Sequence, residues 1–247
     1  MGADQNIHWA QAAASALEWW RDAGVDTLVE DEARDWLAAP VRAPATAAVT
    51  ESAAPDVPLP ATLDAFSAWR TGPDAPEAGW GQALIGARGD PATGLMILID
   101  CPEREDGEAG SLLGGAAGRL FDRMLAAIGR SRESIYLAAV SAARPVSGRI
   151  PPETEARLGE IARHHVALAA PKRLLLMGNA ASRAVLGADV ARARGRLHGV
   201  NPKGGTTASV AGTGVIASFH PRFLLERPAA KAEAWKDLRM LIEGWDE

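Results

Sequence analysis

The sequence predicts a three-layer α/β/α fold with a central, mainly parallel four-stranded sheet. Three observations predict it. First, four short apolar runs, LMILI (95–99), SIYLAAV (134–140), RLLLMG (173–178) and VIASF (215–219), have the length and apolar continuity of buried strands. Second, helical segments lie between and after them: 118–129, closed by Gly129; 151–170, opened by prolines; 179–187, with Asn179 as its expected cap; and 228–245. Third, strands that alternate with helices in this way pair in parallel and are covered on both faces.

A small N-terminal helical extension precedes this part. Residues 8–38 place Ala16, Leu17, Trp20, Val29, Trp36 and Leu37 at helical spacing, and Gly24 divides them into two helices. Trp9, Trp19, Trp20 and Trp36 read as core or docking aromatics. Residues 39–60 are Ala/Pro-rich and suit an extended linker. The expected organisation is therefore an extension over 1–38, a linker over 39–60 and an α/β domain over 61–247.

Composition narrows the function classes. Apolar residues make up 47% of the 247, enough for a sizeable core, yet no run approaches the ~20 apolar residues of a membrane span. The opening MGADQNIHWA lacks the basic flank and apolar centre of a secretory signal, so a cytoplasmic location and no membrane partner are expected. The single cysteine, Cys101, rules out an internal disulfide framework and any all-cysteine metal or iron–sulfur site within one chain. Net charge is −5 but unevenly spread. Residues 1–40 hold two Arg against eight Asp/Glu, a balance of −6, whereas residues 110–239 hold 20 Lys/Arg against nine Asp/Glu, a balance of +11. A basic segment of that kind suits an anionic partner, because phosphate contacts come mostly from Lys and Arg; an arginine-rich solvated surface would look the same.

In open parallel sheets, sites gather at the carboxyl ends of strands, so three loops matter. The loop after 95–99 carries Asp100, Cys101, Pro102 and Glu103, then Glu105, Asp106 and the glycines Gly107, Gly110, Gly114, Gly115 and Gly118. It has neither a G-x-G-x-x-G opening directly from the strand nor a G-K-S/T, which argues against a dinucleotide site and a P-loop. Asp100 can orient a water or act as a base, or simply cap the turn. The loop after 134–140 offers Ser141, Arg144, Pro145 and Arg149, with arginines suited to phosphate. The loop after 215–219 offers His220, Pro221 and Arg222, a histidine fixed by proline beside an arginine.

Taken in order, these segments resemble the uracil-DNA glycosylase superfamily, and specifically its family-4 branch. The resemblance covers about 61–245. GSLLGGAAG (110–118) is similar to the family's G-x-P-F-V-G-x-A-G loop, and GRLFDRMLAAIGRSRESIYL (118–137) to its helix with the I-G-x-x-R-E-x-V-Y continuation. ARPVSGRIPPETEARLGEI (143–161) resembles C-R-P-P-x-N-R-x-P, PKRLLLMGNAASRAVLG (171–187) resembles P-x-x-I-x-x-L-G-x-x-A, and RARGRLH (192–198) resembles an R-G segment. FHPRFLL (219–225) matches the His-Pro motif, and AKAEAWKDLRML (230–241) the last helix. LEWWRDAGVD (17–26) is similar to an extension found on such proteins in some bacteria.

The resemblance implies hydrolysis of an N-glycosidic bond in DNA base-excision repair, with DNA, single- or double-stranded, as partner. It implies Asp100 and His220 as catalytic residues, Cys101, Pro102, Leu113 and Ala139 as the base pocket, and Arg144, Arg149, Arg194, Arg196 and Arg222 as DNA contacts. It also implies a degenerate site. The first family motif, G-E-x-P-G, is here Ile99-Asp100-Cys101-Pro102-Glu103, with a shorter carboxylate and both glycines replaced. The base-stacking aromatic aligns with Leu113, and the asparagine of T-N-V-V-K-C that reads the uracil edge aligns with Ala139. The third and fourth cluster cysteines fall on Ala143 and Gly159, and the first two have no counterpart, so no iron–sulfur cluster and no other cofactor or metal is expected. A non-catalytic DNA-binding or repair-interaction protein on the same fold remains open beside the enzyme. The extension is a candidate contact for a repair-protein partner, and a monomer is expected.

Overall fold

The computed structural model describes residues 9–22, 58–147, 150, 152–200 and 213–244. The chain divides into two units, Met1–Asp56 and Val57–Glu247. In the first, helix α1 (Trp9–Asp22) is described; its Leu17, Trp19 and Trp20 are exposed. The second predicted N-terminal helix, most of the linker and Arg149 lie outside the described residues.

The second unit runs α2 (Leu63–Arg70), β1 (Arg88–Gly89), β2 (Leu95–Ile99), α3 (Asp106–Ala109), α4 (Ala116–Ala127), β3 (Tyr136–Ala139) and α5 (Pro152–Ala169). It continues with β4 (Arg173–Met177), α6 (Asn179–Leu186), α7 (Val190–Ala193), β5 (His198–Val200), β6 (Thr213–Ser218), α8 (Pro221–Glu226) and α9 (Lys231–Ile242). Among the described residues the sheet has six strands in the order β1-β3-β2-β4-β6-β5, and the four central ones are parallel. The three-layer α/β/α expectation holds. The four-strand count does not: β1 and β5 add antiparallel edges on β3 and β6. They are two and three residues long and carry no apolar run, so their pairing comes from the neighbouring strand rather than from their own sequence.

Why the four central runs become strands is visible in their burial. Every residue of LMILI is buried, and successive side chains leave on opposite faces. Met96 and Leu98 join Tyr136, Ala138, Leu174 and Val215 against Phe66 of α2 and Leu158 and Ile161 of α5. Leu95, Ile97 and Ile99 join Leu137, Leu175 and Ile216 against Phe121 and Leu125 of α4 and Leu238 and Leu241 of α9. Burial on both faces removes the polar alternation of a one-sided sheet and leaves unbroken apolar runs. No helix among the described residues is long and apolar enough to cross a membrane.

One polar network ties the layers together. Arg70, at the end of α2, makes a two-pronged ion pair with Glu77, and both are buried. Glu77 Oε1 also accepts from Ser141 Oγ at 3.1 Å and from the Ala142 N–H at 2.9 Å, while Arg70 Nη2 donates to the Val140 carbonyl at 2.8 Å. The backbone leaving β3 is thereby fixed just before Arg144. Two boundaries differ from the sequence expectation. The His-Pro segment opens helix α8 rather than staying in a loop, and 228–230 forms a 3₁₀ turn ahead of α9.

Candidate active site

Strand register brings the candidate loops together. Ile99 pairs with Ala139 on one side and with Met177 on the other, and Met177 pairs with Ser218. The residues that follow, Asp100, Val140, Gly178 and Phe219, therefore leave the sheet side by side at its carboxyl edge. An open cleft of about 1180 Å³ lies there, lined among others by Asp100, Cys101, Arg144, Gly178, His220 and Arg222. A second cleft of about 270 Å³ is lined by Pro102, Glu103, Arg144 and neighbours.

Asp100 is held against the start of α6. Its Oδ1 accepts from the Ala181 N–H at 2.8 Å, a backbone donor left free at a helix start. Burial pushes its carboxyl up to about 6, opposed by the Ala181 N–H, Arg222, the Ala180 N–H and Arg183. This seat exists because residue 178 is glycine. Gly178 has φ 117° and ψ 169°, a region that essentially only glycine occupies, and a Cβ there would lie 2.3 Å from the Asp100 carboxylate. Gly178→Ala is therefore expected to displace Asp100 and to destabilise the protein by about 1–3 kcal/mol, read as a lower midpoint in thermal unfolding. An unchanged midpoint would refute this account of the seat.

His220 is the N-cap of α8. Its Nδ1 accepts from the Arg222 N–H at 3.2 Å, so the neutral ring carries its proton on Nε2. That Nε2 is buried and has no hydrogen-bond partner among the described residues. Burial, with Arg222 and Arg144 nearby, pushes the imidazole down to about 3, so it is uncharged at physiological pH.

Glu103 occupies the middle of this cluster. Only 8% exposed, it accepts from Arg222 Nη1 at 2.9 and 3.2 Å and lies 3.7 Å from Arg144 Nη1. Arg144 also donates to the Pro102 carbonyl at 2.9 Å. The loop beyond is organised by Asp106, fully buried, whose carboxylate accepts from the N–H groups of Glu103, Leu113 and Gly114. Leu113 has φ 57°, unusual for leucine, and is completely buried. Arg132 donates to the Leu112 and Leu113 carbonyls, and a Cβ on Gly118 would lie 1.7 Å from the Leu113 oxygen, so α4 packs hard against this turn.

The sequence-derived residues are thus distributed unevenly. Asp100, His220, Cys101, Arg144 and Arg222 meet in the larger cleft, and Pro102 lines the smaller one. Leu113 and Ala139 line neither; Leu113 is part of the core beneath α4, and Ala139 packs on its edge. The Cys101 thiol is 3% exposed and pushed up to about 11 by burial and by Asp100. Arg194 is directed inward. Its side chain is 16% exposed, is paired with Glu233 and Asp237, and lies over the Phe219 ring. Arg196 is exposed just before β5, and Arg149 lies outside the described residues.

Three features of the site escaped the sequence reading. The α6 start that seats Asp100 was visible only as a glycine followed by a presumed cap; Asn179 instead accepts from the Val190 N–H at 3.1 Å. Glu103 departs from the family motif in sequence, but its partners Arg222 and Arg144 are evident only in the fold. Phe219 and Phe223, both in the cleft lining, stack with centroids 4.9 Å apart, a spacing of four residues across the His-Pro step that gave the only signal.

Comparison with known proteins supplies the remaining observation. A family model described as uracil DNA glycosylase superfamily matches residues 87–239. The chain is similar to the type-4 uracil-DNA glycosylase of Pyrobaculum aerophilum, 29% identical over 166 residues, 65% of this chain and 82% of that protein. It is also similar to those of Archaeoglobus fulgidus, 27% over 156 residues (60% and 75%), and Thermotoga maritima, 28% over 144 residues (58% and 71%).

Proposed function

The chain belongs to the uracil-DNA glycosylase superfamily, and from that premise we propose that it hydrolyses the N-glycosidic bond of a deaminated or damaged base in DNA. The observation that carries the reading is the shared cleft: a carboxylate seated on a helix start and a neutral histidine with an unsatisfied Nε2–H line the same space.

In this reading DNA lies along the arginine-bearing edge and the target nucleotide is turned out of the stack into the cleft. Asp100, as carboxylate, accepts a proton from a water whose oxygen bonds to C1′. The bond from C1′ to the base nitrogen breaks, and the electron pair leaves with the base. His220 Nε2–H donates a hydrogen bond to the negative charge that develops there, without transferring its proton. A neutral donor suits this work, since a site that depresses the imidazole to about 3 keeps one defined tautomer. Arg144, Arg149, Arg196 and Arg222 are the proposed DNA contacts; Arg194, committed to Glu233 and Asp237, is left out. Cys101 and Pro102 are the proposed pocket residues next to the base, with Leu113 and Ala139 shaping it from beneath. Ala139 offers no amide to read a base edge, so selection among bases rests on shape.

The iron–sulfur cluster of family-4 proteins does not fit this chain. A cluster needs four thiolates, and the single cysteine is buried with its thiol held protonated.

Oligonucleotides carrying uracil, hypoxanthine or xanthine, single- and double-stranded, test the proposal: alkali after incubation is expected to break the strand at the modified base. Complete burial of Leu113, where the family carries a stacking aromatic, favours a second reading, a DNA-binding relative without catalysis. That reading predicts no breaks from any base, but salt-sensitive binding that weakens in Arg222→Ala.

The pH profile is a further expectation. With Asp100 pushed up to about 6, base release should fall as pH drops through about 6, because protonated Asp100 cannot take a proton from the water. His220, neutral above about 3, adds no second limb near neutrality. Single-turnover rates from pH 4.5 to 9 would show one acidic limb; a bell centred near pH 6.5 would refute the neutral-histidine assignment.

A further inference from the structure

Glu103 stands where the resembling motif ends in glycine, and its carboxylate is bound by the guanidinium groups expected to meet DNA. Both oxygens accept from Arg222, and Arg144 Nη1 is 3.7 Å away. A carboxylate and a phosphate present the same pair of anionic oxygens to an arginine fork. The arginines are partly exposed, with side chains 36% and 24% accessible, while Glu103 is nearly covered. Its surroundings also fit it poorly. Glu103 Oε1 lies 3.6 Å from His220 Nδ1, which accepts from the Arg222 N–H and so has no proton to give the carboxylate. Burial raises the carboxyl of Glu103, against the lowering effect of the two arginines.

We propose that Arg144 and Arg222 form an anion site for a DNA phosphate, and that Glu103 is its built-in occupant, displaced when the phosphate binds. Resting on the DNA-glycosylase reading for the identity of the ligand, this adds a regulatory element to that site: a competitor inside the chain that weakens non-specific phosphate binding. Displacement exchanges one anion for another, so the two guanidinium charges remain compensated throughout and only the carboxylate moves to water.

Glu103→Gln tests it, because the amide keeps the shape and removes the charge. Pyrophosphate binding followed by calorimetry at low salt is expected to be at least tenfold tighter in the variant than in the parent. In Glu103→Gln/Arg222→Ala the gain should vanish. A base-undamaged single-stranded oligonucleotide should also bind at least tenfold tighter. Its log–log salt dependence should steepen by at most ~0.7, the worth of the one single-strand phosphate that this site holds. Pyrophosphate binding that is unchanged or weaker in Glu103→Gln, with thermal unfolding showing an intact fold, would overturn the inference and make Glu103 a strut that orients the arginines. Tighter pyrophosphate without any oligonucleotide binding would uphold the anion site and sink the DNA reading. Glu103→Gly, the residue of the motif, gives the same comparison if the amide variant does not fold.

Discussion

Asp100→Asn is expected to slow base release by roughly 10²–10⁴-fold, the usual worth of a positioned general base, while leaving the protein at least as stable at pH 7.5. Both halves follow from one contact. The asparagine oxygen can still accept from the Ala181 N–H, so the backbone seat survives, but an amide cannot take a proton from water. The stability half follows from the direction of the pKa. Asp100 is raised from 3.8 to about 6 by burial, so the folded state binds its proton more tightly than the unfolded state. That contribution to stability is fully present below about 3.8 and is lost as pH rises through about 6. Above pH 6 the ionised side chain burdens the fold by about 1–3 kcal/mol, which the neutral amide relieves. Single-turnover base release together with thermal unfolding at pH 5 and 7.5 reads both. A variant that keeps the parental rate would remove Asp100 from the chemistry, and one that unfolds earlier at pH 7.5 would show its charge to be stabilising.

Glu77→Ala is expected to cost 3–5 kcal/mol, because it strands the buried Arg70 guanidinium without its partner. Glu77 accepts from Arg70, Ser141 and the Ala142 backbone, and none of these groups has water to turn to. Against a typical stability of ~5–15 kcal/mol, that is a large fraction, corresponding to a fall of roughly 10 °C in the unfolding midpoint for a domain of this size. Replacing Arg70 and Glu77 together by Met and Leu should recover much of the loss, since apolar pairs of similar volume often substitute for buried ion pairs. Urea unfolding of the single and double variants measures this. If the single variant loses less than about 1 kcal/mol, the pair is no more than a surface-type bridge. The functional consequence lies two residues further on: with the chain after β3 released, Arg144 loses its fixed origin and oligonucleotide binding weakens as well.

The central sheet was readable because burial on both faces left continuous apolar runs at 95–99, 173–178 and 215–219, separated by helices of the right length. β1 and β5 were not, since two- and three-residue edges take their conformation from the strands they pair with. The same division holds in the site. Asp100, Arg144 and His220 could be picked out because strand ends are where parallel sheets collect polar residues. The pocket role of Leu113 rests on the family resemblance alone, and its burial beneath α4 reflects Asp106, Arg132 and the missing side chain of Gly118, which no local pattern reveals. Arg194 looked like one more cation in a basic segment until α9 supplied Glu233 and Asp237, some 40 residues away.

What the sequence by itself determined was the layer architecture, the parallel pairing of the core strands and the family, because these rest on periodicity and on motifs in sequence order. What only the tertiary structure decided was which charges are free. Whether a carboxylate sits on a helix start, as Asp100 does, or between two arginines, as Glu103 does, depends on groups some 80 and 119 residues distant. Electrostatic partners are set by proximity in space and by exclusion of water, and neither is encoded in the neighbours along the chain.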